Sequence, residues 1–304
     1  MNSGCETMKN EKTLPAKTVV VTGASSGIGF QTALEFCRRG AWVIGVGRDS
    51  QRCEQARARI LSAEPAARIQ FLLADLSKQR EIRRLAQEID SLLTQSGTPG
   101  LDILVNNAGT FADKLTLTED GIETTIAVNH LAPFLLTRLL LPRLSTCPDS
   151  RVITVSSGSH YHTWLNPSRL RRPLIYNSLW AYKVSKLANV LFSVELNERQ
   201  QGSAPHAFAV DPGLVNTDIG LKGTGALARF IWRQRQKDGV DVTVPAATIL
   251  FVATDPVALR SDAPYWYLSA PMQPSRTALD RQLARRLWQE SDRLCGIEER
   301  TKEE

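Results

Sequence analysis

Thr18-Val-Val-Val-Thr22 runs straight into Gly23-Ala-Ser-Ser-Gly-Ile-Gly29, and the stretch from Phe30 to Arg39 then reads as a helix. Few folds accept that succession. A short β-branched run is the signature of a strand buried on both faces. The glycines permit tight turning and close approach of a ligand to the backbone, and the helix start offers free N–H groups to an anion. Strand, glycine turn and helix in this order form the context of a dinucleotide pyrophosphate site, with Gly23, Ser25, Ser26, Gly27, Ile28 and Gly29 as its residues. The spacing here, Gly-x-x-x-Gly-x-Gly, differs from the commonest fingerprint, and an ordinary glycine-rich turn is the alternative.

The alternation continues along the chain. Residues 41–47, 69–73, 102–105, 151–155 and 206–210 read as strands. Between them lie helical stretches: a polar one after Asp49, one over about 78–95, a long apolar one over about 119–144, and one carrying Tyr182. Strands alternating with helices predict a parallel sheet covered on both faces. The fold class is therefore α/β, a doubly wound sheet of Rossmann type, in one domain over 17–304 after a polar tail of 1–16. Ligands of such sheets sit at the carboxyl ends of the strands, where Gly23, Arg48, Asp75, Asn106, Ser157 and Pro212 fall.

Each strand end carries a specific expectation. An arginine after the second strand suits a ribose 2′-phosphate and an acid suits a free 2′-hydroxyl. Arg48 points to NADP(H), with NAD(H) less favoured, although Asp49 is a rival signal one residue on. Asp75, followed by Leu76, suits the adenine amino group or equally a helix cap. Asn106-Asn-Ala-Gly109 offers side chains that bond neighbouring backbone, with Ala108 and Gly109 close to a ligand. In Trp180-Ala-Tyr-Lys-Val-Ser-Lys-Leu-Ala-Asn189, Tyr182 and Lys186 are four apart and share a helix face. A neighbouring ammonium favours a phenolate, so Tyr182 reads as a proton donor or acceptor near neutral pH. The plain alternative is a surface tyrosine with a solvated lysine.

Composition narrows the class. The chain has 304 residues, 42% hydrophobic and 22% charged, as in ordinary soluble globular proteins. Its 37 basic against 31 acidic residues are spread along the chain, and no nucleic-acid motif accompanies the excess. Cys5, Cys37, Cys53, Cys147 and Cys295 are odd in number and far apart, which reads as reduced thiols. The N-terminus lacks an apolar signal region and no run approaches a membrane span, so the expected location is the cytoplasm. His160 and His162 have no carboxylate or cysteine at ligand spacing nearby and read as loop histidines, with no metal site.

Together Thr22-Gly-Ala-Ser-Ser-Gly-Ile-Gly29, Asn106-Asn-Ala-Gly109, Asn129, Ser157, Tyr182-x-x-x-Lys186 and Pro212-Gly213 resemble the short-chain dehydrogenase/reductases, in the family's order. The chain is most similar to the retinol dehydrogenase-like branch. Ser157 precedes Tyr182 by a longer interval than in many members, the Tyr182 helix matches, and so does the tail Pro274-Ser-Arg-Thr-Ala-Leu-Asp280 with Ala284-Arg-Arg-Leu-Trp288. The departure is at the N-terminus, where many of those enzymes carry an apolar anchor.

The resemblance implies roles. Tyr182 would exchange a proton with the substrate oxygen as hydride moves. Lys186 would hold the nicotinamide ribose and lower the Tyr182 pKa. Ser157, or Ser156 if the register slips by one, would hydrogen-bond the substrate oxygen. Asn129 would position a water for proton relay. The segment after Pro212-Gly213 would lie along the nicotinamide, with Val215 and Thr217 near its carboxamide. Residues 219–240 would form a substrate lid, apolar through Leu221, Leu227, Phe230, Ile231 and Trp232 and basic through Lys222, Arg229, Arg233, Arg235 and Lys237. Peripheral membrane contact is one reading of that lid, an amphipathic surface helix the other. The expected activity is NADP(H)-dependent interconversion of a lipophilic carbonyl and its alcohol, in a homodimer or homotetramer. The rivals are a non-catalytic NADP(H)-binding sensor and a membrane-associated lipid binder.

Overall fold

Val19 and Val21 point to one side of their strand and Val20 to the other, and each side meets a different core. That alternation is the two-residue period of a strand, applied here to a sheet covered on both faces. The computed structural model describes residues 14, 17–214 and 240–297. The strands are β1 Thr18–Thr22, β2 Trp42–Gly47, β3 Arg68–Leu73, β4 Ile103–Asn106, β5 Arg151–Val155, β6 His206–Val210, β7 Tyr265–Tyr267 and β8 Ala270–Pro271. They form one sheet in the order β3-β2-β1-β4-β5-β6-β7-β8. All neighbours pair in parallel except β7 with β8. The strand order reverses between β1 and β4, and a crevice opens there at the carboxyl ends.

One face is covered by α1 Gly27–Arg38, α2 Ser50–Ala63 and α7 Thr243–Thr254. The other is covered by α3 Gln79–Gln95, α5 Ala132–Ser145, α6 Ser178–Gln200 and α9 Arg281–Cys295. The short helices α4 Thr124–Ile126 and α8 Pro256–Leu259 complete the set among the described residues. Trp266 of β7 lies in the first core.

The long helix expected from residue 119 starts later. Leu117 and Glu123 form an antiparallel bridge around a turn in which Gly121 has φ +71°. The Glu123 side chain then caps α4, accepting from Thr125 N at 2.9 Å and Ile126 N at 2.8 Å. A π-helical turn, Ala127–Leu131, joins α4 to α5. The composite Thr124–Ser145 does have the length and apolarity of a membrane span, contrary to the sequence reading, but 72% of that window is buried inside the domain. It is a core helix.

Of the remaining expectations, most of the 1–16 tail lies outside the described residues. So do Val215, Thr217 and all of the 219–240 lid but its last residue. The region expected from sequence to be a C-terminal extension, 270–304, returns across α6 as α9.

Candidate active site

A single cavity of ≈ 640 Å³ runs along the crevice. At one end it is lined by Gly23, Ser25, Ser26, Gly27, Ile28 and Arg48, with Asp75 and Leu76 beside them, and at the other by Ser157, Tyr182 and Lys186. Ala108, Gly109, Pro212 and Gly213 line the stretch between. The glycine turn makes this possible. A Cβ on Gly23, whose φ is +69°, would meet Ala108 Cα at 3.0 Å. Gly29 lies behind the wall, where a Cβ would collide with the Gly23 carbonyl and the Asn107 amide. It lets α1 start directly against β1.

Arg48 and Asp49 part ways in the structure. Both line the cavity, but the Asp49 carboxylate caps α2, accepting from Arg52 N at 2.9 Å. Asp75 also serves its own turn, accepting from Ser77 N at 3.0 Å and Ser77 Oγ at 2.7 Å. The cap of α3 is Lys78.

Tyr182 and Lys186 project from the first turns of α6, whose N-terminus is held by Asn177 Oδ1 accepting from Trp180 N at 2.8 Å. Both are buried, at 8% and 4% exposure. Lys186 Nζ donates to Val155 O at 3.0 Å and lies 5.4 Å from the Tyr182 ring centroid. Burial brings its ammonium down to about 8, with Asp211 opposing. Tyr182 departs from expectation. Burial pushes its phenol up to about 12, and the hydrogen bond with Ser157 opposes that rise. Desolvation, which a sequence spacing does not reveal, sets the direction, and the Asp211 carboxylate adds to it. Ser156 is buried and donates its hydroxyl to Lys186 O at 2.8 Å, which leaves Ser157 as the serine facing Tyr182.

Asn129 stands in the π-helical turn, outside the cavity wall. Its Oδ1 accepts from Thr110 N at 2.7 Å, and its Nδ2 donates to Thr110 O and to Ser185 Oγ, each at 3.0 Å. Both amide protons are thus used to brace the chain leaving β4 against α6. Asn106 is not where the sequence reading placed it. It ends β4 pointing into the core, with Nδ2 donating to Thr137 Oγ1 at 3.1 Å. Asn107 lines the cavity instead and donates to Thr22 O at 2.8 Å.

Next to Asn129, buried His130 bonds Ser291 Oγ at 3.0 Å. Ser291 donates its own proton to Leu287 O, so His130 Nε2–H is the donor. Burial brings the imidazole down from 6.5 to about 4. The folded state favours neutral His130, so its stabilisation is full above pH 6.5 and is lost as pH falls from 6.5 to about 4. The expected loss is about 3 kcal/mol, read as a fall in denaturant midpoint over that window that His130→Gln should flatten. An equal acid slope in the variant would contradict it.

Two site features had no sequence signal. Asp211 sits behind the Tyr182 end of the cavity, its Oδ1 accepting from Gly213 N at 2.9 Å and its Oδ2 from the Tyr265 hydroxyl at 2.6 Å. Arg52 joins Arg48 at the other end of the cavity, one helical turn on.

Residues 17–224 match the family described as short chain dehydrogenase. The chain is 37% identical over 301 residues to retinol dehydrogenase 13 of Homo sapiens, covering 95% of this chain and 87% of that protein. It is 36% identical over 285 residues to retinol dehydrogenase 12 of Mus musculus, covering 94% and 88%. A crystal structure of an uncharacterized protein from Mycobacterium Paratuberculosis superposes with a TM-score of 0.69 at 34% identity, covering 94% and 96%. With the sheet order and the cavity described above, these likenesses place the chain: it belongs to the short-chain dehydrogenase/reductase family, as an oxidoreductase of the retinol dehydrogenase-like branch.

Proposed function

We propose that the chain interconverts a lipophilic carbonyl compound and its alcohol using NADP(H), with Tyr182 as the general acid and base. The observation that carries this is one cavity joining Arg48 and the glycine turn to Ser157, Tyr182 and Lys186. The residues present fit a dinucleotide. The wall at Gly23 has no room for a side chain, the buried Lys186 ammonium is at the cavity, and a guanidinium lies at the far end. When bound, the dinucleotide supplies or accepts the hydride.

Lys186 would hold the ribose hydroxyls of its nicotinamide half, and the Pro212-Gly213 turn would lie along the ring. Arg48 would take the 2′-phosphate, since Asp49 is committed to its helix cap. Ser157 would donate a hydrogen bond to the substrate oxygen, stabilising the charge that develops there. Tyr182, with its phenol at about 12, is protonated at neutral pH and is set to give its proton to that oxygen. Val128 and Leu214 give the cavity apolar lining, which suits a lipophilic substrate. Retinaldehyde is the first substrate to try, because the relatives are retinol dehydrogenases. The four described cysteines are unpaired, which supports a reducing, cytoplasmic setting.

The test is NADPH and NADH oxidation over a panel of aldehydes, ketones and quinones including retinaldehyde, with Tyr182→Phe as control. Tyr182-dependent consumption of NADPH supports the reading. Tight NADPH binding with no turnover of any member would favour a sensor instead. Arg48→Ala should raise the KM for NADPH by about 10- to 100-fold, the loss of one charge-assisted bond, and change that for NADH little. Equal effects on the two cofactors would remove the 2′-phosphate assignment.

A further inference from the structure

The chain after β5 and the chain after β8 meet at one imidazole. His160 follows Ser157 in the 3-10 turn Gly158–His160 and is 0% exposed. Its Nδ1 lies 2.9 Å from Ser157 O and its Nε2 3.1 Å from Ser275 N. An amide nitrogen only donates, so Nε2 is the bare nitrogen and Nδ1 carries the proton, given to the Ser157 carbonyl. Tyr161 and Tyr265 pack on the ring at centroid distances of 4.2 and 4.7 Å. Neither His160 nor Ser275 lines the cavity.

We propose that His160 is a positioning residue: as the neutral Nδ1–H tautomer it ties the Ser157 backbone to the C-terminal segment at Ser275. A stretch remote from the substrate thereby sets where the Ser157 hydroxyl stands relative to Tyr182. This rests on the reading of Ser157 as the residue that holds the substrate oxygen. A displaced hydrogen-bond donor costs rate more than binding, because its contact strengthens only as charge develops. Acid works against the tether. A proton on Nε2 would set two donors facing each other across the Ser275 contact. The Ser157 carbonyl and the Asp211 carboxylate favour the cation, the phenols of Tyr161 and Tyr265 are neutral neighbours, and burial opposes it most strongly.

Ser275 has φ −61°, within proline's range, so Ser275→Pro deletes the N–H donor, and its ring carbon, standing where the proton stood 3.1 Å from Nε2, pushes the imidazole off the contact. Ser275→Ala is the control for its hydroxyl, which caps the turn to Ala278 at 3.3 Å. His160→Phe removes both bonds and keeps an aromatic ring, and His160→Asn restores one donor toward Ser157 O. All are assayed in the full chain with NADPH and all-trans-retinaldehyde, an aliphatic aldehyde and an aromatic ortho-quinone. Ser275→Pro should lower kcat about tenfold below Ser275→Ala with NADPH affinity within about twofold. Its acid limb should move to higher pH, because the freed nitrogen protonates more readily. His160→Phe should lose at least as much, and His160→Asn should regain part.

A His160→Phe variant with kcat within about twofold of the parent would overturn the proposal. So would Ser275→Pro and Ser275→Ala that match in kcat and acid limb. If Ser275→Pro does not fold, the His160 pair decides. If the parent turns over none of the three carbonyls, the lipophilic-carbonyl reading fails. The imidazole nitrogen NMR spectrum then decides the tether, and a proton on Nε2 of His160 at neutral pH would sink it. Full activity in Tyr182→Phe would also count against the catalytic reading, whereas an inactive Tyr182→Phe beside an unaffected His160→Phe would reject the positioning role alone.

Discussion

Tyr182→Phe should lower kcat by about three orders of magnitude while NADPH affinity stays within about twofold. General acid catalysis by a positioned side chain contributes about 10²- to 10⁴-fold, and the substitution removes that group together with its hydrogen bond to Ser157. The ring is 8% exposed and packs on Phe111, so phenylalanine refills the same space. Lys186 keeps its bond to Val155 O, and Ser157 keeps its turn through Ser159 N at 3.1 Å. Cofactor affinity is therefore spared. Single-turnover reduction monitored by NADPH absorbance, paired with a fluorescence titration for binding, separates the two quantities. A variant within tenfold of the parent would mean that another acid supplies the proton. Tyr176 is one phenol to consider, but its hydroxyl donates to Ala112 O at 2.7 Å and it does not line the cavity. Lys186→Met should behave differently, weakening cofactor binding together with kcat, because its ammonium is read as serving both.

The parallel sheet was legible because its signals are local. A β-branched run, a glycine turn and an unbroken helix each declare themselves within a dozen residues, and β1 with α1 falls close to the expected place. Helix boundaries were less so. Glu119 and Asp120 look like an acidic first turn, yet the bridge between Leu117 and Glu123 holds that stretch in a turn. Which of two adjacent asparagines faces the ligand depends on where β4 ends, and that placed Asn106 in the core and Asn107 at the cavity. The direction of the Tyr182 pKa shift departs from the sequence reading for a different reason. Spacing on a helix shows that Lys186 is near, but only packing shows how far both are removed from water. Asp211 and His160 were illegible because their partners, Tyr265 and Ser275, come from a remote part of the chain. Resemblance named the C-terminal tail, but only the fold shows what it touches.

Trp288→Ala should destabilise the fold by about 3–5 kcal/mol, the usual range for deleting a large aromatic from a core. Trp288 is 3% exposed and holds α9 to the helices beneath it. Its ring meets Phe134 edge-on at 5.0 Å and stacks on Phe192 at 5.9 Å. The guanidinium of Arg199 lies 4.5 Å above it and that of Arg138 5.1 Å. Phe192 belongs to the same helix as Tyr182 and Lys186, and Ser291 of α9 receives the His130 bond beside Asn129. Loosening α9 therefore loosens the frame of the site. Trp288→Phe should cost much less, about 1–2 kcal/mol. It keeps a ring in the stack and discards an indole N–H that has no acceptor among the described residues. Urea unfolding followed by far-UV circular dichroism gives the stabilities, and residual activity along the same transition shows whether site and fold fail together. If Trp288→Ala lost less than about 1 kcal/mol, or lost activity long before structure, α9 would be an appendage with its own unfolding step. Coincident loss would make the C-terminal helix part of the single cooperative unit that holds Tyr182 against Ser157.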